Sequence, residues 1–167
     1  SMFSGNSATE EGGAVFSESG APSAIRNSTF LQNTAGGGGG AIFIDDADTD
    51  IIQCTFTQNS ARTGGALFLY DTKFNIHNCT IAGNSASDGT GGVYLYFSQY
   101  APGVVTVEST IISGNGTDLA VRNNFYGAYV YNSLIQSAAS NTIIFGTNNI
   151  YAQSPLLRPL GNNGGPT

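Results

Sequence analysis

The sequence predicts an all-β protein, a right-handed parallel β-helix (solenoid) of about six coils, on three observations. A short pattern recurs with steps of 25 to 27 residues: Phe or Ile, an asparagine three places later, and then a Gly-Gly pair. A fixed period in this range is typical of solenoids. Each repeat holds short runs rich in Ile, Val, Phe, Thr and Tyr, separated by Gly, Asn, Ser and Asp, which is the pattern of strands and turns. No window shows the 3.6-residue apolar spacing of a helix.

The repeats align into columns when their asparagines are superposed. We expect the residues of one column to stack about 4.8 Å apart in successive coils. The first apolar column consists of Phe3, Phe30, Phe56, Ile81 and Ile112. The second consists of Ile25, Ile51, Ile76, Val107 and Val130. A polar column, at the bend between the two strands, consists of Asn27, Gln53, Asn78, Ser109 and Asn132. Asparagine tolerates the left-handed backbone of such a bend, and we expect amide bonds up this column. The Gly-Gly pairs suit a corner of positive φ or a close approach of coils.

Two stretches carry a resemblance to known families. Phe-x-x-Asn at 3–6, 30–33 and 56–59, with Gly-Gly-Ala-Ile at 39–42, resembles the polymorphic outer membrane protein repeat of chlamydial and environmental bacterial surface proteins. Residues 149–167 are similar to the segment near the end of choice-of-anchor Q domains, which are secreted bacterial β-helix proteins. The resemblance implies a β-helix that is exported to the bacterial cell surface or beyond. It implies little about activity.

Composition agrees with one ordered domain over residues 1–167, since 40% of the residues are hydrophobic and the pattern is periodic. We interpret the chain as a segment of a longer exported protein, with an irregular tail over 146–167 that caps the last coil. The net charge is −6, and the basic residues are scattered: Arg26, Arg62, Lys73, Arg122 and Arg158. This argues against nucleic acid as a partner. No apolar run is long enough to cross a bilayer, so no membrane insertion is expected in this segment.

The densest charge lies in the turn at 45–50, and aligning the Gly-Gly pairs places Asp46 next to Asp71 of the following coil. Carboxylates at coil spacing repel one another unless a cation lies between them. The sequence therefore suggests a Ca²⁺ site made by Asp46, Asp48, Asp50 and Asp71. The string departs from an EF-hand loop, because Ile51 stands where glycine is required. The alternative is a solvated acidic turn without a metal, and no cofactor is required by any other motif.

Cys54 and Cys79 fall in one column with Ser28, Thr110 and Ser133, a position for small residues. Their Cα atoms are expected about 5 Å apart, within disulfide range, although side chains that point the same way disfavour a bridge. We expect two free buried thiols, with a disulfide as the alternative. His77, the only histidine, is expected on the outer surface, since strand residues alternate faces.

The strand after each Gly-Gly pair is apolar on both faces. Counting from the pairs, Tyr94 and Tyr96 are predicted on the same face as Ile42, Ile44, Leu67 and Leu69. The sequence leaves open whether this face or the face of Ala41 and Phe43 points outward, and one of the two presents apolar side chains to something outside the coil. Tyr94, Tyr96 and Tyr100 are therefore candidates for stacking on a carbohydrate or packing on a protein partner. The alternative is that these aromatic side chains pack on one another along the strands.

These observations favour a non-catalytic extracellular surface-protein module, a structural spacer or adhesin-like scaffold. Its expected partner is a protein or glycan on a host or neighbouring cell. The alternative is a carbohydrate-active β-helix, similar to a polysaccharide lyase or glycosidase, that binds acidic polysaccharide with calcium. A lyase needs a base and a cation or Arg/Lys cluster for the substrate carboxylate. Lys73 alone lies near the acidic turn, so the sequence gives catalysis little support.

Overall fold

The computed structural model describes residues 1–18, 20, 22–71, 73–98, 103–122, 127–142 and 144–158. Within these residues every regular element is a β-strand, and each strand pairs in parallel with strands of the neighbouring coils. The chain therefore winds as a parallel β-helix. The core lies inside the coils and is made of stacked aliphatic and phenyl side chains.

The first coils contain four strands each. They are β1 (Met2–Ser4), β2 (Ser7–Ala8), β3 (Val15–Glu18), β4 (Ser23–Arg26), β5 (Thr29–Leu31), β6 (Thr34–Ala35), β7 (Ile42–Asp45), β8 (Thr49–Ile52), β9 (Thr55–Thr57), β10 (Ser60–Ala61), β11 (Leu67–Tyr70), β12 (Phe74–His77), β13 (Thr80–Ala82), β14 (Ser85–Ala86), β15 (Val93–Tyr96) and β16 (Val105–Glu108). The later coils contain fewer strands. They are β17 (Ile111–Ser113), β18 (Leu119–Arg122), β19 (Ala128–Tyr131), β20 (Leu134–Ile135), β21 (Ile144–Phe145) and β22 (Ile150–Tyr151).

These strands form four sheets that run along the solenoid. Sheet A has the order β1-β5-β9-β13-β17-β20-β22, and sheet B has the order β14-β10-β6-β2. Sheet C has the order β18-β15-β11-β7-β3, and sheet D has the order β21-β19-β16-β12-β8-β4. Among the described residues sheet B ends at β14, and the strands of the later coils belong to the other three sheets. The all-β solenoid of the sequence prediction is confirmed.

Both predicted apolar columns are confirmed by the strand register. Phe30 pairs with Phe3 on one side and Phe56 on the other, and the ring centroids are 4.8 and 4.7 Å apart. Ile51 pairs with Ile25 and Ile76 in the same way in sheet D. Phe30, Phe56, Ile51 and Ile76 have no solvent exposure, so burial of stacked apolar side chains stabilises the coils.

The asparagines of the Phe-x-x-Asn pattern form an internal hydrogen-bonded ladder. The Oδ1 atom of Asn59 accepts bonds from the backbone N–H and the Nδ2 of Asn33, both at 2.9 Å. Asn59 in turn donates both of its nitrogens to Oδ1 of Asn84. The same pattern repeats at each step, and it ends where Asn115 donates to the Oδ1 of Asp118. A carboxylate, which only accepts, thus replaces the asparagine of a further coil.

The bend between sheets D and A is confirmed, but the amide ladder expected there is wrong. Asn27, Gln53 and Asn78 have φ of 49°, 53° and 55°, in the left-handed region. Their side chains are exposed and point to solvent. Among the described residues of this column the one amide bond joins Asn148 Nδ2 to Oδ1 of Asn132, at 3.2 Å. The ladder forms instead where asparagine points inward and water cannot compete for its amide.

The two glycines of the pairs at 12–13, 39–40 and 64–65 have different roles. Gly39 and Gly64 have φ of 66° and 60°, so the first glycine provides the corner conformation. A Cβ on the second glycine, Gly40, would lie 2.1 Å from the carbonyl oxygen of Gly65. The second position therefore requires glycine because neighbouring coils approach closely there.

The predicted grouping of Tyr94 and Tyr96 with Leu67 and Leu69 on one face of sheet C is wrong. Leu67 pairs with Val93, and Phe68 pairs with Tyr94, so Gly64 is level with Thr90 and not with Gly91. The Gly-Gly pair at 91–92 begins two residues before β15, whereas the pair at 64–65 begins three residues before β11, so counting from the pair shifts the register by one. A slip of one residue moves every side chain to the opposite face. The inward residues of sheet C are Ile42, Ile44, Leu67, Leu69, Val93, Leu95, Leu119 and Val121.

The tail also differs from the prediction of an irregular cap over 146–167. Ile150 and Tyr151 pair in parallel with β20, so the tail first adds a strand to sheet A. Residues 154–158 then lie beside earlier coils, where Ser154 and Arg158 share a cleft with Thr57. The described part of the tail therefore runs back along the side of the solenoid. Residues 159–167 lie outside the described part of the chain.

Candidate functional site

The acidic turn brings two of the four predicted calcium ligands together. Asp46 and Asp71 follow paired strands and lie in successive coils, with φ of 53° and 49°. The Oδ1 of Asp71 accepts a short hydrogen bond from the backbone N–H of Ser98. The register that places these two carboxyl groups next to each other was predicted from the sequence.

The other two predicted ligands have separate partners. Asp48 accepts a hydrogen bond from the backbone N–H of Lys73 at 3.2 Å. Asp50 lies on the outer face of sheet D, where it forms an ion pair with Arg26 at 3.5 Å and accepts a bond from Asn75 Nδ2 at 2.9 Å. Among the residues that the structure describes, no group of three or more His, Cys, Asp or Glu side chains is placed to hold a metal ion. Calcium binding stays a prediction.

Asp45 is a residue of the acidic turn that was not among the four predicted calcium ligands. Its Oδ1 is buried and has no hydrogen-bond partner. Burial raises the pKa of its carboxyl group, and the neighbouring carboxylates of Asp46, Glu18 and Asp71 raise it further. The pairing of Glu18 with Asp45 in sheet C was visible in the alignment of the coils and was the available signal.

The predicted tyrosine surface is a stack of rings on the outer face of sheet C. Tyr96 stacks on Tyr70 at 4.8 Å with an interplanar angle of 8°, and the Arg122 guanidinium lies 5.7 Å from the ring centroid on the side of the next coil. Tyr94 packs against Phe68 at 5.0 Å, tilted by 35°. Both faces of the Tyr96 ring are therefore covered. Tyr100 lies outside the described residues.

This arrangement limits how the surface can bind a sugar. Stacking on a pyranose uses an open ring face, and the face of Tyr96 is occupied by its neighbours. What remains open is the ring edges and hydroxyl groups, together with Arg122, which donates to the Tyr94 hydroxyl at 3.4 Å. The surface is suited to hydrogen bonds and edge contacts with a partner. Carbohydrate or partner binding there stays a prediction.

Cys54 and Cys79 are free and buried, as predicted. The backbone N–H of Cys54 donates to Sγ of Cys79 at 3.4 Å, and each thiol donates to a nearby backbone carbonyl. The neighbouring Cys79 side chain lowers the pKa of Cys54, and the neighbouring Cys54 side chain together with burial raises the pKa of Cys79. His77 is partly exposed on the outer face of sheet D and lies 3.3 Å from Glu108.

A cleft between the tail and the coils was not predicted from the sequence. Its volume is about 450 Å³. It runs along the solenoid across four successive coils and is lined by Thr57, Gln58, Ala82, Gly83, Ser113, Gly114, Gln136, Ser154, Pro155, Leu157 and Arg158. The available signal was the replacement of Gln by Gly at one corner, since Gly83 and Gly114 follow Gln58 in register.

The fold defines the class of this protein. The chain belongs to the right-handed β-helix family, whose model, described as a right handed beta helix region, matches residues 1–154. The match confirms the hand and the class of the predicted solenoid. No curated protein and no solved structure matches the chain. No helix among the described residues is long and apolar enough to pass through a bilayer.

Proposed function

We propose that this β-helix is a non-catalytic module of an extracellular surface protein, a rigid scaffold that binds a protein or glycan on a host or neighbouring cell. Its repeats resemble those of polymorphic outer membrane proteins and its tail resembles choice-of-anchor Q domains. Both resemblances point to export. The internal asparagine ladder is the observation that carries the proposal. The inward-facing amides bond to one another from coil to coil, so the polar groups of the interior serve to stabilise the fold.

Separation of interior and exterior supports a scaffold role. The buried columns fix the shape, and the outer positions of sheets C and D vary in charge and size from coil to coil. In the outer column of sheet C, Glu18, Asp45, Tyr70, Tyr96 and Arg122 follow one another in register. A surface of this kind presents different chemistry along a rod of fixed geometry, which suits recognition of an extended partner.

The location is tested by labelling intact cells of the source organism with an antibody that cannot cross the membrane. We expect labelling without permeabilisation.

Binding is tested by adding the purified module to target cells and by a glycan array. Tyr94→Ala is expected to weaken binding at the sheet C surface. Tyr129→Ala, an exposed tyrosine of sheet D, is the matched control. Labelling seen only after permeabilisation contradicts the proposal.

A second candidate is a carbohydrate-active β-helix that uses calcium to bind or cleave acidic polysaccharide. The unpartnered Oδ1 of Asp45, beside Asp46 and Asp71, is the observation that favours it. In this case we expect calcium to raise the melting temperature of the protein. We also expect the protein, in the presence of calcium, to lower the viscosity of a polygalacturonate solution. Asp71→Asn should abolish both effects, and Glu10→Gln, an exposed acidic residue, is the control. Identical melting in calcium and in EDTA contradicts this candidate.

A further inference from the structure

The cleft beside the tail exists because two coils lack a side chain at one corner. Gln58, Gly83 and Gly114 occupy this corner in three successive coils, with φ of 58°, 69° and 72°. A Cβ on Gly83 would have no atom closer than 3.8 Å, and one on Gly114 none closer than 3.9 Å. Steric crowding therefore does not require glycine at either position. Because both side chains are missing, the floor of the cleft between Gln58 and Gln136 is open.

Several of the residues that line the cleft have polar side chains, and none of them is Asp or Glu. Gln58 and Gln136 present side-chain amides from opposite ends, and Ser113 Oγ donates to Gln136 Oε1 at 2.5 Å. Thr57 and Ser154 add hydroxyl groups. Amides and hydroxyls both donate and accept, so they match the hydroxyl groups of a sugar. The absence of acidic lining residues contrasts with the net charge of −6 of the chain.

The tail provides the remaining wall and its one charge. Pro155 and Leu157 are apolar lining residues, and Arg158 is the one charged residue among those that line the cleft. A guanidinium recognises a carboxylate through paired hydrogen bonds. An apolar wall suits the C–H face of a sugar ring. The long axis follows the solenoid, so an extended chain fits better than a compact ligand.

We propose that this cleft binds a segment of an acidic glycan chain, with Arg158 pairing with a sugar carboxylate and Gln58 and Gln136 bonding to sugar hydroxyls. The inference rests on the proposed binding function and names a site and ligand class for it. It requires neither calcium nor catalysis, because the charge of the ligand is met by Arg158. This separates it from the calcium-dependent candidate at the acidic turn.

The test measures binding of tetragalacturonate to the full chain by calorimetry in EDTA, with the fully methyl-esterified tetramer as the neutral probe. Gly83→Gln fills the floor with the side chain that Gln58 already carries at this corner, so the variant is expected to fold. Arg158→Gln removes the charge. Gly5→Gln changes the same corner in the first coil, outside the cleft, where φ is 66° and no atom lies within 4 Å of a Cβ.

We expect wild type and Gly5→Gln to bind the acid equally, and Gly83→Gln and Arg158→Gln each to lose roughly tenfold or more in affinity. The ester should bind wild type as weakly as the acid binds Arg158→Gln. Circular dichroism confirms that each variant is folded. Unchanged affinity in both cleft variants overturns the site but leaves glycan binding by the module intact. Absence of wild-type binding to both probes overturns the inference, while cell binding still tests the proposed function.

Discussion

Asn59 lies in the middle of the ladder, has no solvent exposure, and bonds to the asparagines on both sides and to the carbonyl of Phe30. An apolar replacement leaves several buried donors and acceptors without partners, and each such group costs about 1–3 kcal/mol. The residue is therefore more important for stability than its size suggests.

We expect Asn59→Ala to lower the free energy of unfolding by about 3 kcal/mol or more, measured by urea denaturation followed by circular dichroism. Asn6→Ala is the matched control. Asn6 donates to Asn33 but is exposed at the first coil, so water replaces its lost bonds. Its cost should stay below about 1 kcal/mol. Equal losses in the two variants would show that the ladder is not a major source of stability.

Asp45 contributes to the pH dependence of the free energy of unfolding. Its contribution has the opposite sign to that of a carboxylate in an ion pair. Burial raises the pKa of its carboxyl group above the usual 3.8, and neighbouring carboxylates add to the rise. The folded state then binds a proton more readily than the unfolded state, so stability falls as the pH rises from about 3.8 through the raised value.

We expect Asp45→Asn to stabilise the protein at pH 7 by about 0.5 kcal/mol, a modest gain because water still screens the site. The variant should also show a smaller loss of stability between pH 4 and pH 7 than wild type. Urea denaturation at a series of pH values measures both effects. Glu10→Gln serves as an exposed acidic control, and a steeper pH dependence in Asp45→Asn would contradict the assignment.

For single residues, the sequence predicted the register position in the coil better than the hydrogen-bond partners of the side chain. The column of asparagines and the pairing of Asp46 with Asp71 follow from the repeat alone. Whether a side chain points inward or outward depends on φ at the preceding corner, and the repeat pattern alone does not show this direction. The ladder was therefore expected in the exposed column of Asn27 instead of the buried column of Asn59.

Two stacked phenylalanines, one in sheet A and one in sheet C, differ in how deeply they are buried. Phe56 of β9 is fully buried and stacks on Phe30, whereas Phe16 of β3 is about half exposed although it also stacks, on Phe43. The two side chains have the same chemistry and differ in burial. They therefore separate the cost of a cavity from the loss of an aromatic contact.

We expect Phe56→Ala to lower the free energy of unfolding by about 3–5 kcal/mol, because it opens a cavity between two coils. Phe16→Ala should cost about 1 kcal/mol or less, since its ring is partly in water. Thermal and urea denaturation measure the difference. Similar costs for both substitutions would contradict the assignment of Phe56 to the continuous core.

Element boundaries were predictable where the repeat is regular and not where its length changes. The Gly-Gly pairs predicted the register of β7 and β11, but the pair at 91–92 lies one residue nearer its strand, so Tyr94 and Tyr96 were grouped with the wrong side chains of the neighbouring coils. The cleft escaped prediction for a different reason. It depends on a tail that runs back along four coils, and no local pattern in residues 154–158 indicates that path.

Across the whole molecule, the strands of each coil pair only with those of neighbouring coils, so local stability should vary along the solenoid. The first coil has one neighbour, and its inward residues Phe3, Val15 and Ile25 are only partly buried. Phe30, Ile42 and Ile51 of the second coil are fully buried.

Hydrogen exchange followed by mass spectrometry should therefore show fast exchange over residues 2–26 and slow exchange over residues 29–82. Asn59→Ala is expected to speed exchange in the coils on both sides of the substitution, because the ladder joins them. Uniform protection from the first coil to the fifth would show that the solenoid opens only as a single unit.

From Asn33 to Asn84, each asparagine of the ladder donates from its nitrogens to the asparagine of the following coil, and its oxygen accepts from the asparagine of the preceding coil. Any internal junction is chemically the same as the next, so a gene that duplicates or deletes one repeat leaves every remaining amide paired. Asp118 needs to occur once, where the series stops. Rods of different reach can thus arise by simple recombination, with the terminal structure unaltered.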